Sequence, residues 1–283
     1  MYKYSVAIPT YNSSDYLRDC IYGFRKSKYI DEIIISDDGS DINELKKIKR
    51  IIQKANKYFN FEIKLIENTE NSGAFINKYK LIKASSNDWV YQIDSDNVPF
   101  DNIDKVISQI ADNHGSQLFI YYPTKLIQFW RYRKAAEILS KIQKKYIVRF
   151  SKEVNIFDIY KTQKANNEFL NYDTSKDTTE GSPELQSKFV LDKHIYWVLN
   201  CGNFVVNKNQ FLSAMEHGLD YSREVLSMDA VAFSYLWLRS SGQIVLQPGL
   251  SHYHRKRLTS ISYIEKESSK ISRQYFTDKI LSL

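Results

Sequence analysis

The chain has 283 residues, of which 43% are hydrophobic and 26% charged. A chain of this length and composition can bury a sizeable core, which excludes a disordered tail. Its 40 lysines and arginines against 33 acidic residues give a net charge of +7, a bias toward phosphorylated ligands and anionic lipid surfaces. The basic residues are not interleaved with aromatic ones as in proteins that bind single strands, so we predict no binding to nucleic acid.

Two further features bear on the cellular setting. The two cysteines, Cys20 and Cys201, are too few for a disulfide framework or a thiolate metal site, and we expect both to be small buried residues. The chain has no run of about eighteen apolar residues, and its start lacks the charged, apolar and small-residue succession of a secretory signal. We therefore expect a cytoplasmic protein.

The first hundred residues alternate between strand and helix patterns, which predicts a mostly parallel α/β sheet with right-handed crossovers. Strands are predicted at 4–11, 31–40, 61–69 and 88–97. Helices are predicted at 14–27, 42–58 and 72–85. We expect Pro9 to stop the first strand and Ser13 or Ser14 to cap the following helix.

Beyond residue 100 the pattern is looser, and no spacer rich in proline, glycine or serine separates two halves. We divide the chain at residues 1–100, 101–260 and 261–283. The predicted elements are a helix at 102–114, a strand at 117–123, a long basic helix at 125–150, a polar loop at 165–188, strand character at 194–212, a helix at 227–242, a strand and loop at 243–260 and a helix at 263–276.

Polar residues follow each of the first four predicted strands. They are Thr10, Tyr11 and Asn12; Asp37 and Asp38; Asn68 and Asn71; and Asp94 and Asp96. Because the carboxyl ends of parallel strands meet at one edge of a sheet, where open α/β folds bind ligands, we expect a site at this edge.

The chemistry of these residues leaves alternatives open. Asp94 and Asp96, one residue apart in a turn, can reach one Mg²⁺ or Mn²⁺ ion, or they can form a hydrophilic turn that ends a strand. Asp37 and Asp38 can accept bonds from a ribose hydroxyl or a base N–H, or they can form a helix cap with a tight turn. Tyr11 offers a flat surface beside them, or it packs as an ordinary aromatic residue.

The stretches "IPTYN", "SDDGS", "NSG" and "DSDN" occur in this order and resemble the motifs of the family 2 inverting glycosyltransferases of the GT-A fold. The resemblance is close over residues 4–99 and looser to about residue 260. It implies that residues 1–100 form the half that binds a nucleotide sugar, that residues 101–260 form the acceptor-binding and catalytic half, and that a C-terminal helix follows.

The resemblance also implies roles for single residues. It places the base of the nucleotide sugar against Pro9, Thr10 and Tyr11, and the nucleoside against Asp38. Asp94 would contact the ribose or support Asp96, the direct ligand of Mn²⁺ or Mg²⁺. The full set predicted to bind the nucleotide sugar is Pro9, Thr10, Tyr11, Asp37, Asp38, Asn71, Gly73, Lys78, Asp94, Ser95 and Arg255.

One departure from the family concerns the stretch after "NSG". The family often has an arginine and an asparagine there, whereas this chain has Asn77 and Lys78. We expect Lys78 to supply the positive charge that the arginine supplies elsewhere.

The catalytic half is marked by "SMDAVAFSYLWLRSSG", which resembles the helix that carries an acid pair in related enzymes. Here Asp229 is kept and the preceding residue is Met228, so Asp229 is the predicted general base, with Glu224 in reserve. The alternative is that Asp229 is a helix N-cap.

The stretch "SHYHR" follows the last predicted strand. His252 and His254 would face the same way in extended backbone, and imidazole with carboxylate suits Mn²⁺. In similar enzymes a histidine directly before an arginine contacts the metal, which matches His254 and Arg255. The alternative is a solvated basic loop.

The stretch from Lys125 to Arg149 combines many basic and apolar residues. "QFWRY" within it resembles a motif of processive polysaccharide synthases, but it precedes Asp229, whereas theirs follows the base, so we reject that likeness. We hypothesise that the stretch rests on an anionic membrane surface that presents a lipid-linked acceptor. The alternative is a helix packed on the sheet.

The resemblance thus implies a metal-dependent inverting transferase that moves a sugar from a nucleotide donor, with UDP favoured, to a glycan or lipid-linked saccharide of a bacterial surface polysaccharide. A degenerate, non-catalytic sugar-binding protein is one alternative. A sugar nucleotidyltransferase is another, but it would need a glycine-rich phosphate loop after the first strand, which "IPTYNSS" lacks.

Overall fold

The computed structural model describes residues 2–113, 118–130, 151–155, 189–190, 202–216, 225, 228–256, 271–272, 275–276 and 279. The predicted alternation in the first hundred residues is confirmed by β1 Tyr4–Thr10, α1 Ser14–Gly23, β2 Ile30–Asp37, α2 Ile42–Ala55, β3 Glu62–Glu67, α3 Ala74–Ala84 and β4 Trp89–Gln92. The second half contains β5 Val98–Pro99, α4 Ile103–Asp112, β6 Phe119–Trp130, β7 Ser151–Asn155, β8 Phe189–Val190, β9 Phe204–Asn207, α5 Lys208–Met215, α6 Asp229–Arg239 and β10 Gln243–Lys256.

These strands form one mixed sheet in the order β3-β2-β1-β4-β9-β6-β10-β5, with β7 paired to β6 and β8 paired to β10. β1 lies between β2 and β4 and runs parallel to both. β9 runs antiparallel to its neighbours β4 and β6. The carboxyl ends of β1, β2 and β4 therefore share one edge, as the sequence predicts.

The core has two layers because neighbouring residues of a strand point to opposite faces of the sheet. In β1, Val6 and Ile8 pack with α1, α2 and α4, whereas Ala7 packs on the other face with α3, α5 and α6. Both faces of β1 and β2 are buried, which explains their continuous apolar runs. Cys20 is buried in the first of these layers, as expected.

Pro9 does not stop the first strand, contrary to the prediction. β1 continues to Thr10, and Pro9 stays in register with Ser36 of β2. On the other side, the pairing with β4 ends at Ala7 and Gln92. Because the neighbour strand on that side has already ended, the missing N–H of Pro9 breaks no ladder bond.

Three predicted elements of the second half are wrong in type. Residues 125–130 lie in β6 and not in a helix, because they pair with residues 251–256 of β10. The predicted loop with His252 and His254 is likewise part of β10. Residues 208–215 form α5 and not a strand, because the Asn207 side chain caps them by accepting from the N–H groups of Asn209 and Gln210.

Other predictions fall largely on residues that the structure does not describe. The remainder of the basic stretch at 131–149, the polar loop at 165–188, Cys201 and Glu224 are outside the described residues. Of the predicted closing helix, the described residues Ile271, Ser272, Tyr275, Phe276 and Lys279 are helical. In the described part of the chain, no helix has both the length and the apolar character needed to cross a bilayer.

We expect Phe233→Ala to lower the free energy of unfolding by about 3–5 kcal/mol, because it opens a cavity in the core. Phe233 is fully buried, and its ring contacts those of Phe75, Phe204 and Phe211. Urea denaturation measures the change. Tyr58→Ala, on a side chain that is 76% exposed, is the control and should stay within about 0.5 kcal/mol of the wild type; equal effects of the two would contradict this core assignment.

Candidate active site

The carboxyl edge of β1, β2 and β4 brings together the residues predicted from the first four strands. Thr10 and Asp37 end their strands in register, and the N–H of Asp38 donates to the carbonyl of Thr10 at 2.9 Å. After β4 the chain turns, with the N–H of Asn97 donating to the carbonyl of Asp94 at 3.0 Å. The edge is thus built from tight turns whose acids follow β2 and β4, the strands on either side of β1.

The acid pair after β2 organises the loops around it. Asp38 is buried and accepts from the N–H groups of Ser72 and Gly73, each at 2.9 Å, and from the Ser72 hydroxyl at 2.8 Å. Asp37 accepts from the N–H and hydroxyl of Ser40 at 3.0 and 2.5 Å. Burial raises the pKa of Asp37, although its bonds with Ser40 oppose that effect. Both acids hold turns in place, and their contact with a nucleoside stays a prediction.

The loop after β1 presents one aromatic ring to solvent. Tyr11 is 44% exposed, whereas Pro9 and Thr10 are buried. The next residue, Asn12, has a left-handed φ of 45° and is held by bonds with Ser40 and Asp41. Of the two alternatives for Tyr11, the structure favours the exposed flat surface, and stacking of a base against it stays a prediction.

A chain of buried hydroxyls joins this loop to the turn after β4. Ser13 Oγ lies 3.2 Å from Thr10 Oγ1 and 3.1 Å from Ser95 Oγ. Ser95, predicted to contact the nucleotide sugar, therefore points toward α1 in this structure. On the far side of the edge, the Asn71 side chain accepts from the N–H of Gly73 at 2.9 Å, which shapes the start of α3.

Lys78 lies at the centre of the site. Its ammonium is 2.6 Å from Asp229 Oδ2, 2.8 Å from Asp94 Oδ1 and 3.4 Å from the carbonyl of Gly202. The residue is buried, which disfavours its charge, but the two carboxylates outweigh burial and raise the pKa of Lys78. The predicted positive charge is therefore present, and its partners are protein groups.

Asp229 is the first residue of α6 and is buried. The N-cap position belongs to Met228, so the alternative that Asp229 is the N-cap is wrong. Burial raises the pKa of Asp229, Lys78 opposes this shift, and Asp94 adds to it. A carboxylate with a raised pKa accepts a proton more readily at neutral pH, as a general base requires.

Two residues of this site were missed by sequence reasoning. The carbonyl of Gly202 accepts from Lys78, and the side chain of Asn203 accepts from the N–H of Asp94 at 2.8 Å and from Asn97 at 3.4 Å. Gly202 has a φ of 71°, and a Cβ there would lie 2.2 Å from Asp94 Oδ2. The only signal in the sequence is a glycine just before a strand, which is far too common to assign a role.

Arg255 braces the turn that carries the metal-ligand candidate. It is buried, its Nε donates to the carbonyl of Asp96 at 3.0 Å, and its guanidinium pairs with Asp19 at 3.0 Å over the ring of Tyr16. Its N–H also donates to Asn97 at 3.3 Å. These contacts replace the predicted solvated loop, while a contact of Arg255 with a diphosphate stays a prediction.

The two histidines of β10 lie side by side, as their spacing predicts, with ring centroids 5.7 Å apart. His252 is buried, and its Nε2 has no hydrogen-bond partner among the described residues. Burial lowers the pKa of His252 well below its usual range, with His254 adding to the effect. The ring is therefore neutral at physiological pH, the form that binds metal ions.

The predicted metal ligands do not form a complete metal site among the described residues. Within the described residues, no group of three or more His, Cys, Asp or Glu side chains could hold a metal by itself. Ions such as Mg²⁺ are often held by one or two carboxylates together with substrate phosphates. Asp96 is partly exposed and the buried Nε2 of His252 has no hydrogen-bond partner among the described residues, and their binding of a cation that arrives with a nucleotide stays a prediction.

Comparison with solved structures shows the fold. S. aureus TarS residues 1–349 in complex with UDP-GlcNAc matches 99% of this chain and 66% of its own length, with a TM-score of 0.55 and 14% identity. The mannosyltransferase PcManGT from Pyrobaculum calidifontis, in complex with GDP-Man and Mn²⁺, matches 100% and 64%, with a TM-score of 0.56 and 11% identity. Together with the edge site, these likenesses identify the GT-A fold of glycosyltransferases, as predicted.

The sequence comparisons identify the family. Residues 5–171, more than half of the chain, match the family described as glycosyl transferase family 2. An uncharacterized glycosyltransferase of Mycoplasma genitalium, MG060, is 29% identical over 157 residues, which are 50% of this chain and 50% of that protein. The chain belongs to glycosyl transferase family 2, a family of nucleotide-sugar-dependent enzymes. It spans about half the length of this curated relative and about two thirds of the two solved structures.

We expect Gly202→Ala to destabilise the protein more than Gly73→Ala. Both glycines have positive φ, so each alanine carries a backbone strain of about 1–3 kcal/mol. At Gly73 an added Cβ meets nothing within 4 Å, whereas at Gly202 it collides with Asp94, which should cost at least about 1 kcal/mol more. Urea denaturation of both variants measures the difference, and equal losses would show that Gly202 does not limit the position of Asp94.

Proposed function

We propose that the protein transfers a sugar, with inversion, from a nucleoside-diphosphate donor to a glycan or lipid-linked saccharide acceptor. The observation that carries this proposal is the buried Asp229 carboxylate, which shares the Lys78 ammonium with Asp94 at the carboxyl edge of β4. A basic carboxylate thereby lies beside the edge where α/β folds bind nucleotides. Family membership supports the same reaction class.

The donor is proposed to lie along the edge of β1, β2 and β4. Tyr11 presents an exposed ring for the base, and the turn from Asp94 to Asn97 lies next to it through the hydroxyls of Ser13 and Ser95. TarS was solved with UDP-GlcNAc and PcManGT with GDP-Man, so the fold accommodates both bases. We favour UDP for this chain on the resemblance of its sequence motifs alone, since the two solved structures match the chain equally well.

Asp229 is proposed to take the proton from the acceptor hydroxyl as that oxygen attacks the anomeric carbon. The bond between this carbon and the diphosphate oxygen breaks, and the nucleoside diphosphate leaves with the electron pair. Attack from the face opposite the leaving group inverts the anomeric configuration. Holding the acceptor beside the base replaces a bimolecular encounter by a local one, which lowers the barrier further.

Asp96, His254 and His252 are the residues proposed to hold Mn²⁺ or Mg²⁺. When bound, such a cation neutralises negative charge on the leaving diphosphate. Arg255 supports this arrangement from within the protein, because it fixes the carbonyl of Asp96 and thereby the turn on which the carboxylate is carried.

The cellular role is proposed on the family resemblance. Assembly of a bacterial surface polysaccharide, with the protein on the cytoplasmic face of the membrane, fits an enzyme that uses nucleotide sugars and a lipid-linked acceptor. The hypothesis that residues 125–149 rest on anionic lipid now applies to a stretch that begins in β6. Sedimentation with anionic vesicles tests this membrane hypothesis, and an absence of salt-sensitive binding to the vesicles would rule it out.

Asp96→Ala should lower the release of nucleoside diphosphate from a nucleotide sugar by roughly two to three orders of magnitude, because the charge that positions the cation is lost. The assay incubates the protein with UDP-, GDP- and dTDP-sugars and Mn²⁺, and follows the released diphosphate. Asp112→Ala, on an exposed aspartate at the end of α4, is the control and should match the wild type.

Other results of the same assay separate the alternatives. Release of pyrophosphate instead of nucleoside diphosphate would identify a nucleotidyltransferase. Binding of UDP in calorimetry without turnover of any donor or acceptor would identify a degenerate sugar-binding protein. Full activity without any divalent cation would contradict the metal assignment.

Asp229→Asn should lower kcat by about 10²–10⁴-fold, since the amide cannot accept the proton. The dissociation constant for UDP, measured by calorimetry, should stay within about threefold of the wild type because the base contacts the acceptor side. If Asp229→Asn kept its kcat but lost UDP binding, Asp229 would contact the donor and would not be the general base. The anomeric coupling constant in the proton NMR spectrum of the product tests the proposed inversion.

A further inference from the structure

One buried ammonium group connects the acid that follows β4 with the acid that begins α6. We propose that Lys78 is a positioning residue, which orients the carboxylate of Asp229 for the acceptor and ties it to Asp94 in the donor half of the site. The inference rests on the proposed function, because it concerns how the base of that reaction is held. It differs from the prediction that Lys78 contacts the nucleotide sugar itself.

The hydrogen-bonding capacity of Lys78 supports this assignment. An ammonium group has three N–H donors and no acceptor. Its three partners are Asp229 Oδ2, Asp94 Oδ1 and the carbonyl of Gly202, at 2.6, 2.8 and 3.4 Å. The side chain is 4% exposed. All three donors are therefore used inside the protein, and none is left for a diphosphate while these contacts hold.

The contacts fix the base from a rigid position. Lys78 lies within α3, Asp229 opens α6, and both helices pack on the same core layer through Phe75 and Phe233, whose rings stack at 4.5 Å. Because Lys78 binds Oδ2 of Asp229, the carboxylate cannot rotate freely. A group held in this way is preorganised for the transition state.

The charges of the cluster require the lysine as well. Among the described residues, Lys78 and Asp94 are the ionisable groups with the largest effect on the pKa of Asp229. Without the ammonium, the buried carboxylate of Asp229 would lie near the partly exposed carboxylate of Asp94 with no compensating charge, which favours protonation of Asp229. A protonated Asp229 cannot act as a base. Lys78 therefore opposes the effects of burial and of Asp94 on the same carboxylate.

Lys78→Met removes the ammonium and keeps a side chain of similar length. We expect a fall in kcat of about 10²–10³-fold, with the KM for the donor within about threefold. Loss of a positive charge makes the ionised form of Asp229 less stable, so its pKa rises, and the acid limb of the kcat profile should move to higher pH by about one unit. Lys78→Arg keeps the charge and should keep the acid limb near its wild-type position.

The matched control is Lys83→Met. Lys83 is on the same helix and is exposed, so its loss should change neither kcat nor the acid limb. Circular dichroism and urea denaturation establish that each variant is folded. If Lys78→Met does not fold, Lys78→Gln, which keeps hydrogen-bond donors without the charge, is expected to show the same shift of the acid limb.

A carbon-13 NMR titration of labelled aspartate side chains tests the pairing without turnover. Asp229→Asn assigns the Asp229 signal, whose midpoint should rise in Lys78→Met and stay in Lys83→Met. The inference would be overturned if the Asp229 midpoint did not change in Lys78→Met, or if this variant raised only the KM for the donor. Either result would indicate that Lys78 contacts the nucleotide sugar instead. If the wild-type protein turns over no nucleotide sugar, the proposed function fails, and the midpoint still decides whether Lys78 controls Asp229.

Discussion

A lysine ammonium removed from water between two carboxylates constrains most of what surrounds it. Burying a charge without partners is costly, and removing one member of a buried ion pair typically destabilises a protein by about 3–5 kcal/mol. The chain therefore has to bring Asp94, Asp229 and the Gly202 carbonyl to Lys78 together. The geometry of β4, of the segment before β9 and of the start of α6 follows from that requirement.

The surrounding polar groups keep the acids of this edge in single orientations. Asp38 is fixed by the N–H groups that begin α3, and the turn after β4 is held by Asn203 on one side and Arg255 on the other. Arg255 in turn is neutralised by Asp19. The site proposed for an anionic donor is thus assembled from acids. Hydrogen-bond donors of other elements hold these acids, so the edge is preorganised.

The sequence predicted the edge of the sheet well because its signals are local. Each acid or amide directly follows an apolar strand, so placing the strand also places Asp37, Asp38 and Asp94. The predictions were weaker where an element depends on a distant partner. Residues 125–130 have no periodicity that separates helix from strand, and only their pairing with β10 decides the matter. Pro9 was misjudged for the same reason, since its cost depends on where β4 ends.

In the site too, features with a local sequence signal were predicted, whereas contacts between distant residues were not. Asp229 and Lys78 were both singled out from the sequence, but their ion pair was not predicted, because nothing in the sequence reports a contact between residues 151 positions apart. Arg255 was predicted to be available to a diphosphate, whereas its burial depends on Asp19 and Tyr16, more than two hundred positions earlier. Residue 202 has to be glycine because the Asp94 side chain occupies the space that a Cβ would need. This contact exists only in the folded chain, so the sequence does not reveal it.

The antiparallel insertion of β9 between β4 and β6 has a consequence for the order of assembly on the ribosome. The three parallel strands β1, β2 and β3 and the acids at their ends emerge first, while the contacts that complete the ammonium cluster span 124 and 151 positions of chain. Closing such long loops is slow compared with local structure formation. A nascent chain would therefore carry a formed sheet edge in which Lys78 is paired with Asp94 alone, and the ammonium cluster is completed only after α6 has emerged.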